Sequence, residues 1–246
     1  MTITNTQSGT NVHEIADGIY RISTPVKIPS AGGFSFNQYL IVDDDPLLFH
    51  AGLRKMFPLI REAVASILPV EKLRYITLSH VEADECGGLN DWLRAAPHSM
   101  PLCGGVAGMV SVGDLADRDP KVLADSEQLH LGKHTVRWFD TPHLPHAWDC
   151  GFLIEEQTAT LMCGDLFTQG GDGLPPLTES DILEPSEVFR EKMDYFSHTV
   201  NAEVMLQRLA STNPSTLACM HGSAWRGDGA ELLLSLAERL VHRQSG

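Results

Sequence analysis

The sequence predicts a mixed α/β (α+β) chain folded as a single four-layer αββα sandwich over residues 1–246, and three observations carry that expectation. Strand-like segments fall into two groups, each flanked by helical segments, the pattern of two sheets packed face to face under helices. At 246 residues and 43% hydrophobic content, the chain is long enough to bury a substantial core. Histidines and acidic residues recur just beyond short apolar runs, where strand ends would gather them.

The first group opens with strand-like segments at residues 19–23, 37–42 and 46–49. An amphipathic helix is expected over residues 53–67, with Pro58 an obstacle near its start. Residues 73–78 form the next strand, and Gly87 and Gly88 lead into a helix over residues 89–96. A further helix is expected from Gly105 to residue 115. The second group runs through residues 128–131, 135–139, 151–155 and 158–162, the last two joined as a hairpin around Glu156 and Gln157. Residues 170–176 read as a loop lying over the site that Asp165 belongs to. Helices over residues 186–198 and 202–210, a strand over 216–220 and a helix over 230–243 complete the chain, without internal repeats or a low-complexity linker.

Composition excludes several classes. A net charge of −14 and a pI near 5.1 leave no basic footprint for nucleic acid. The run Asp43-Asp44-Asp45 reads as a solvated turn. No apolar run is long enough to span a membrane, and the polar N-terminus lacks a signal-type apolar core, so a soluble, cytoplasmic protein is expected. Five cysteines without a C-x-x-C pair argue against a disulfide framework and against an iron–sulfur or rubredoxin-type site. Gly32-Gly33 and residues 170–173 lack the phosphate-cradling patterns, so no nucleotide or flavin site is read from them.

The stretch from Ser79 to Gly88 places His80, Glu82 and Asp84 at alternate positions immediately after an apolar run. Imidazole together with carboxylates suits iron or zinc, and an oxygen-rich donor set shifts the balance toward iron. Further candidates recur in Thr141-Pro142-His143-Leu144-Pro145-His146-Ala147-Trp148-Asp149, in Cys163-Gly164-Asp165-Leu166 and in Cys219-Met220-His221-Gly222. His13, His98, His130, His134, His198 and His242 have no such neighbours and read as surface or structural residues.

This order resembles the metallo-β-lactamase superfamily, whose pattern is an H-x-H-x-D-H box, a later histidine, a bridging aspartate and a final histidine. Glu82 stands where the superfamily usually has its second histidine, which resembles the H-x-E-x-D box of flavodiiron proteins. The resemblance runs from Asn37 to about the last helix. It is closest to flavodiiron-like, oxygen-binding diiron proteins that lack a flavodoxin domain. It implies a metallo-β-lactamase-type sandwich with His80, Glu82 and His146 on one metal, Asp84 and His221 on the other, and Asp165 bridging them. Two iron ions joined by an oxo, hydroxo or peroxo bridge are the implied cofactor, with zinc as the alternative and no flavin in this chain. Glu85 occupies the place of the family histidine after the box aspartate, either adding a carboxylate or leaving a position open. His143 and His146 compete for one ligand position, His146-Ala147-Trp148-Asp149 matching the family's His-x-x-Asp spacing and leaving His143 beside the ligands.

His50 stands where many superfamily members have an aspartate, and reads either as a core histidine or as an orienter of the ligands. Trp148 and Asp149 carry the same ambiguity, and Phe34, Phe36 and Trp225 either pack the core or wall a gas-sized apolar pocket. No residue is singled out as a catalytic acid, base or nucleophile. The resemblance implies O₂, or NO, as ligand, either in a sensor or carrier or in a reductase fed by an external redox protein or read by a signalling partner. It also implies a homodimer. The competing class is a zinc hydrolase of esters, thioesters or lactones using a metal-bridging hydroxide.

Overall fold

The computed structural model describes residues 1–28 and 32–244, the side chains of residues 242–244, including His242, excepted. Among these residues two sheets form the centre of the molecule. The first contains eight strands in chain order: β1 (Thr2–Asn5), β2 (Thr10–Ala16), β3 (Ile19–Val26), β4 (Phe34–Ile41), β5 (Leu47–Phe49), β6 (Tyr75–Thr77), β7 (Met100–Gly104) and β8 (Lys121–Leu123). The second contains seven: β9 (Gln128–His130), β10 (Thr135–Asp140), β11 (Gly151–Glu155), β12 (Thr160–Met162), β13 (Leu177–Thr178), β14 (Thr216–Ala218) and β15 (Ala224–Arg226), in the order β13-β15-β14-β12-β11-β10-β9.

Alternating side chains make four layers out of these sheets. Along β4, Tyr39 and Ile41 enter the core between the sheets while Leu40 enters the core beneath the first helical layer. Along β11, Leu153 faces the inter-sheet core while Phe152 and Ile154 face the other helical layer. Helices α1 (Phe57–Ala65), α2 (Ala83–Cys86) and α3 (Leu89–Ala95) belong to the first half, where Ile60, Val64, Leu89 and Trp92 fill the outer core. Helices α4 (Gly105–Val110) and α5 (Val112–Leu115) follow β7. The second half is covered by α6 (Leu183–Met193), α7 (Ala202–Ala210) and α8 (Gly229–Gln244), with Leu206, Leu209, Leu233 and Leu236 buried. The expected αββα sandwich is therefore the one found. None of the described helices is long and apolar enough to cross a membrane.

Several local expectations are corrected. Pro58 does not obstruct its helix: a 3-10 turn over Arg54–Met56 precedes α1, and Pro58 lies in the first turn, where a missing N–H costs nothing. The helix expected over residues 105–115 breaks at Ser111 into α4 and α5, where Gly113 approaches the Gly108 carbonyl so closely that a Cβ would sit 2.4 Å from it. The helix expected at 186–198 begins at Leu183 and ends where Asp194 turns left-handed, at φ 48°. Strands β1, β2, β7, β8, β13 and β15 were not read from the sequence.

Strand direction positions the site. β5, β6 and β7 run parallel, as do β12 and β14, so the segments following β5, β6, β12 and β14 emerge at one edge of the sandwich. Within three residues of those strand ends stand His50, Ser79-His80, Asp165 and His221.

Candidate metal centre

His80 follows β6, and the chain then turns through Glu82 into α2, which carries Asp84 and Glu85. Gly88 lets this turn press against the end of β5: its N–H donates to the Gly52 carbonyl at 2.8 Å, and a Cβ there would meet the Ala51 oxygen at 2.8 Å. The Ala51 N–H donates to the Glu85 carbonyl at 2.6 Å, pinning the middle of α2. Asp165 arrives through Gly164, whose φ of 50° and 2.9 Å approach of its would-be Cβ to Ser79 Oγ suit only glycine.

Two groups of donor atoms result. His80, Glu82, His146 and Asp165 form one; Asp84, Glu85 and His221 form the other, each group with ligand atoms within 4.8 Å of one another. In the first, His80 Nε2, His146 Nε2 and Glu82 Oε2 make a triangle with sides of 2.9, 3.0 and 3.1 Å. Two imidazoles hold at most two Nε2 protons for three contacts. The three atoms thus lie close enough together for one metal ion to touch all of them, and two imidazoles with a carboxylate are a donor set that suits iron or zinc.

Asp165 faces both groups. Its Oδ2 lies 3.7 Å from His80 Nε2 and 3.5 Å from His146 Nε2, while Oδ1 lies 3.3 Å from His221 Nε2. His221 Nε2 is also 3.4 Å from Asp84 Oδ2. Glu85 is fully buried, with Oε2 4.0 Å from His80 Nε2 and no aligned hydrogen-bond partner for either oxygen. A buried carboxylate among carboxylates is costly unless a proton or cation joins it.

Protonation follows this crowding. Burial, then the charges of Asp165 and Asp84, push Glu85 well above the usual carboxylate range. Burial pulls His221 down, but hydrogen bonds to Asp165 and Asp84 outweigh it and raise the ring to about 9. Burial likewise pushes Asp165 up, yet His221 and the two other histidines bring it down to about 2. Hydrogen bonds from His146 and His80 hold Glu82 below its ordinary value. Without metal, protons on His221 and Glu85 occupy places where cations would balance the same charges. The donor set therefore fits a pair of metal ions.

Surrounding groups orient the rings. His80 Nδ1 contacts Ser79 Oγ at 3.0 Å, and Ser79 Oγ contacts His50 Nε2 at 3.0 Å, so His50 reaches the cluster through Ser79. His221 Nδ1 donates to the Ser35 carbonyl at 2.9 Å, which turns Nε2 toward the carboxylates. Asn37 Nδ2 donates to the carbonyls of Cys219 and Gly222 at 3.0 and 2.9 Å, and Arg21 to that of Gly222 at 2.7 Å. Asp149 Oδ2 accepts the Val81 N–H at 3.2 Å, tying the His146 loop to the His80 turn.

His143 is not brought to the cluster. Its backbone is left-handed, its side chain exposed, and it lines a separate cleft of about 200 Å³ with Arg190, Asp194 and His198. Trp148 points to solvent. Trp225 packs in the second outer core and donates to the Ser180 carbonyl. The aromatic wall is instead Phe34 stacked on His221 at 4.2 Å, Phe189 stacked on Phe34 at 5.5 Å, and Tyr195 edge-on to His146 at 5.9 Å, with Phe36 edge-on to His221. The loops at Gly33 and Gly171 meet beside this wall through one backbone hydrogen bond of 3.0 Å. Ser79, Phe189 and Tyr195 were not singled out from the sequence; the period-two alternation from His80 onward gives no reason to weigh the residue before it.

The family described as ODP family beta lactamase matches residues 34–222. The chain is 25% identical over 206 residues to rubredoxin-oxygen oxidoreductase of Megalodesulfovibrio gigas, covering 79% of this chain and 50% of that protein. It is 23% identical over 217 residues to nitric oxide reductase of Moorella thermoacetica, covering 83% and 53%. The chain spans about half the length of these two relatives. Among solved structures, a fragment of putative diflavin flavoprotein A 5 from Nostoc sp. superposes with a TM-score of 0.81 at 18% identity, over 96% of this chain and 98% of that one. The flavodiiron core of Flv1 from Synechocystis sp. superposes at 0.79 and 20% identity, over 96% and 62%. These superpositions establish the fold.

Proposed function

This chain belongs to the ODP family of β-lactamase-type proteins, and from that membership we propose that it is a non-haem diiron protein acting on O₂ or NO. The observation that carries the reading is Asp165, whose two oxygens face the two separate donor groups. His80, Glu82 and His146 would hold one iron, Asp84, His221 and Glu85 the other, and Asp165 would join them. When bound, a ferrous pair supplies electrons to a small diatomic ligand.

The chain's own residues set the conditions for that chemistry. Phe34, Phe36 and Phe189 present apolar surface beside His221, which favours an uncharged diatomic over a charged substrate. Tyr195 donates its hydroxyl to the Asp165 carbonyl at 3.0 Å and so holds the bridging segment. The oxygen and nitric oxide chemistry in the relatives' names supports this reading over a zinc hydrolase.

Electrons come from an external redox protein in the reductase form of this proposal, whereas an O₂ sensor or carrier needs none at steady state. We favour the binder. A cytoplasmic setting is supported by five unpaired cysteines, and the acidic surface favours a basic protein partner over nucleic acid. A homodimer completes the proposal.

The test is metal analysis of protein grown in iron-replete medium, followed by O₂ titration of the anaerobically reduced form. Two irons per chain with an absorption band that bleaches on reduction are expected. Stoichiometric zinc and no redox-active absorption would sink the reading. Added rubredoxin or a small flavoprotein then separates the forms: rapid turnover marks a reductase, stoichiometric O₂ uptake a binder.

A further inference from the structure

Two arginines are buried among the described residues, and they are held differently. Arg190 is neutralised within its own helix, its Nε and Nη2 donating to the two Glu187 oxygens at 2.8 and 2.6 Å. Arg21, 3% exposed in the middle of β3, pairs with no carboxylate among the described residues, and its Nε has no hydrogen-bond partner. Its Nη2 donates to the Gly222 carbonyl at 2.7 Å. That hydrogen bond does not call for a cation, because the neutral amide of Asn37 donates to the same carbonyl at 2.9 Å. A guanidinium stays charged in a protein interior, and burying it without a paired anion is unfavourable. The charge itself therefore needs a reason, and its position supplies one. Gly222 directly follows His221, and Tyr39, opposite Arg21 in the β3–β4 register, donates to the Cys219 carbonyl at 2.6 Å on the other side of that ligand.

The cluster on the far side of this segment is rich in carboxylates. Glu82, Asp84, Glu85 and Asp165 pair only with histidines among the described residues, never with a lysine or arginine. Once metal has displaced the protons they carry four negative charges, which two ferrous ions balance in full. Loss of one electron from each iron then adds two positive charges, and the Arg21 charge can neither leave nor titrate in response. Like charges in a poorly solvated interior repel. Resting on the reading that this cluster holds two irons, we propose that Arg21 is an electrostatic bias on the centre, its buried charge favouring the ferrous pair over the ferric pair and so keeping the protein in the state that binds O₂. A unit charge acting over about 10 Å at an effective dielectric constant of about 20 changes such an equilibrium about tenfold.

The experiment is a redox titration of the full, iron-loaded chain without oxygen, between dithionite and ferricyanide with mediators, following the ferric absorption. Arg21→Gln keeps a hydrogen-bond donor and removes the charge, and Arg21→Met removes both at similar length. Each should lower the reduction potential by about 59 mV, the equivalent of a tenfold change for a one-electron step. Arg21→Lys keeps the charge and should stay close to the wild type. Iron content, measured on the same samples, keeps a lost ligand apart from a shifted potential. An unchanged potential in the neutral variants at full iron content, or an equal drop in Arg21→Lys, would overturn the inference. Loss of iron from both neutral variants would overturn it as well, because Arg21 would then only shape the ligand segment. A wild type with no redox-active iron band would instead overturn the dinuclear reading itself.

Discussion

Ser79 Oγ stands 3.0 Å from Nδ1 of His80, and this contact decides which His80 nitrogen is free to face the cluster. A metal needs the Nε2 lone pair, so Nδ1 carries the proton and donates it to Ser79. The Ser79 hydroxyl then donates to His50 Nε2 at 3.0 Å, which leaves the His50 proton on Nδ1, directed at Met220 Sδ 2.9 Å away. Burial lowers His50 to about 3, so the ring stays neutral and keeps accepting. The polarity is consistent along the whole chain.

Removing that hydroxyl should loosen the ring. In Ser79→Ala, affinity for the first metal is expected to fall about 10 to 100-fold, as for other groups that orient a ligand. Chelator competition on the wild type and the variant measures it. Equal affinities would mean that packing alone holds His80.

Asp165→Asn should lose metal from both subsites, because a neutral amide no longer screens two cations at the position facing both donor groups. His143→Ala should keep the wild-type metal content, since His143 is exposed in a separate cleft. Elemental analysis of both variants decides. Loss of an ion in His143→Ala together with full content in His146→Ala would reverse the assignment of the ligand loop.

Raising His221 to about 9 has consequences of opposite sign with and without metal. In the metal-free protein the protonated ring pairs with Asp165 and Asp84, a stabilisation fully present below about 6.5 and lost as pH rises through about 9. Its size is on the order of 3 kcal/mol. Metal must displace that proton, so apparent metal affinity should climb as pH approaches 9. Thermal midpoints of metal-free protein and metal titrations across this range give the two slopes. A metal-free midpoint that stays level relative to Asp84→Asn would remove the pairing.

Asn37→Ala removes one of two side-chain donors to each of the Cys219 and Gly222 carbonyls, which keep Tyr39 and Arg21 respectively, in a buried setting. Losing these hydrogen bonds costs about 0.5 to 1.5 kcal/mol each. The urea midpoint of the metal-free variant should fall accordingly, and occupancy of the subsite containing His221 should fall with it. A lower midpoint with unchanged occupancy would show that Arg21 and the Ser35 contact hold His221 unaided.

Much of this protein is set by local sequence. The alternation of His80, Glu82 and Asp84 after an apolar run, and the placement of Asp165 and His221 just beyond β12 and β14, could be read because strand period and strand ends are local properties. The αββα layering was legible for the same reason: Tyr39 and Leu40 belong to different cores simply by alternating along β4. Short edge strands such as β13 and β15 were not, because their pairing depends on partners remote in the chain rather than on a run of apolar residues.

Tertiary structure decided the rest. Whether His143 or His146 joins the cluster depends on how the loop between β10 and β11 folds, which Asp149 settles by gripping Val81 across 68 residues. The surroundings of His50 depend on Ser79 lying between it and His80: the ring is buried and in contact with that hydroxyl. The surroundings of Glu85 depend on Asp84, Asp165 and His80 crowding one buried point. Sequence determines which donors the chain offers and at which strand ends they emerge; only long-range packing determines how many reach the same point, because convergence is a property of distances between segments that the sequence keeps far apart.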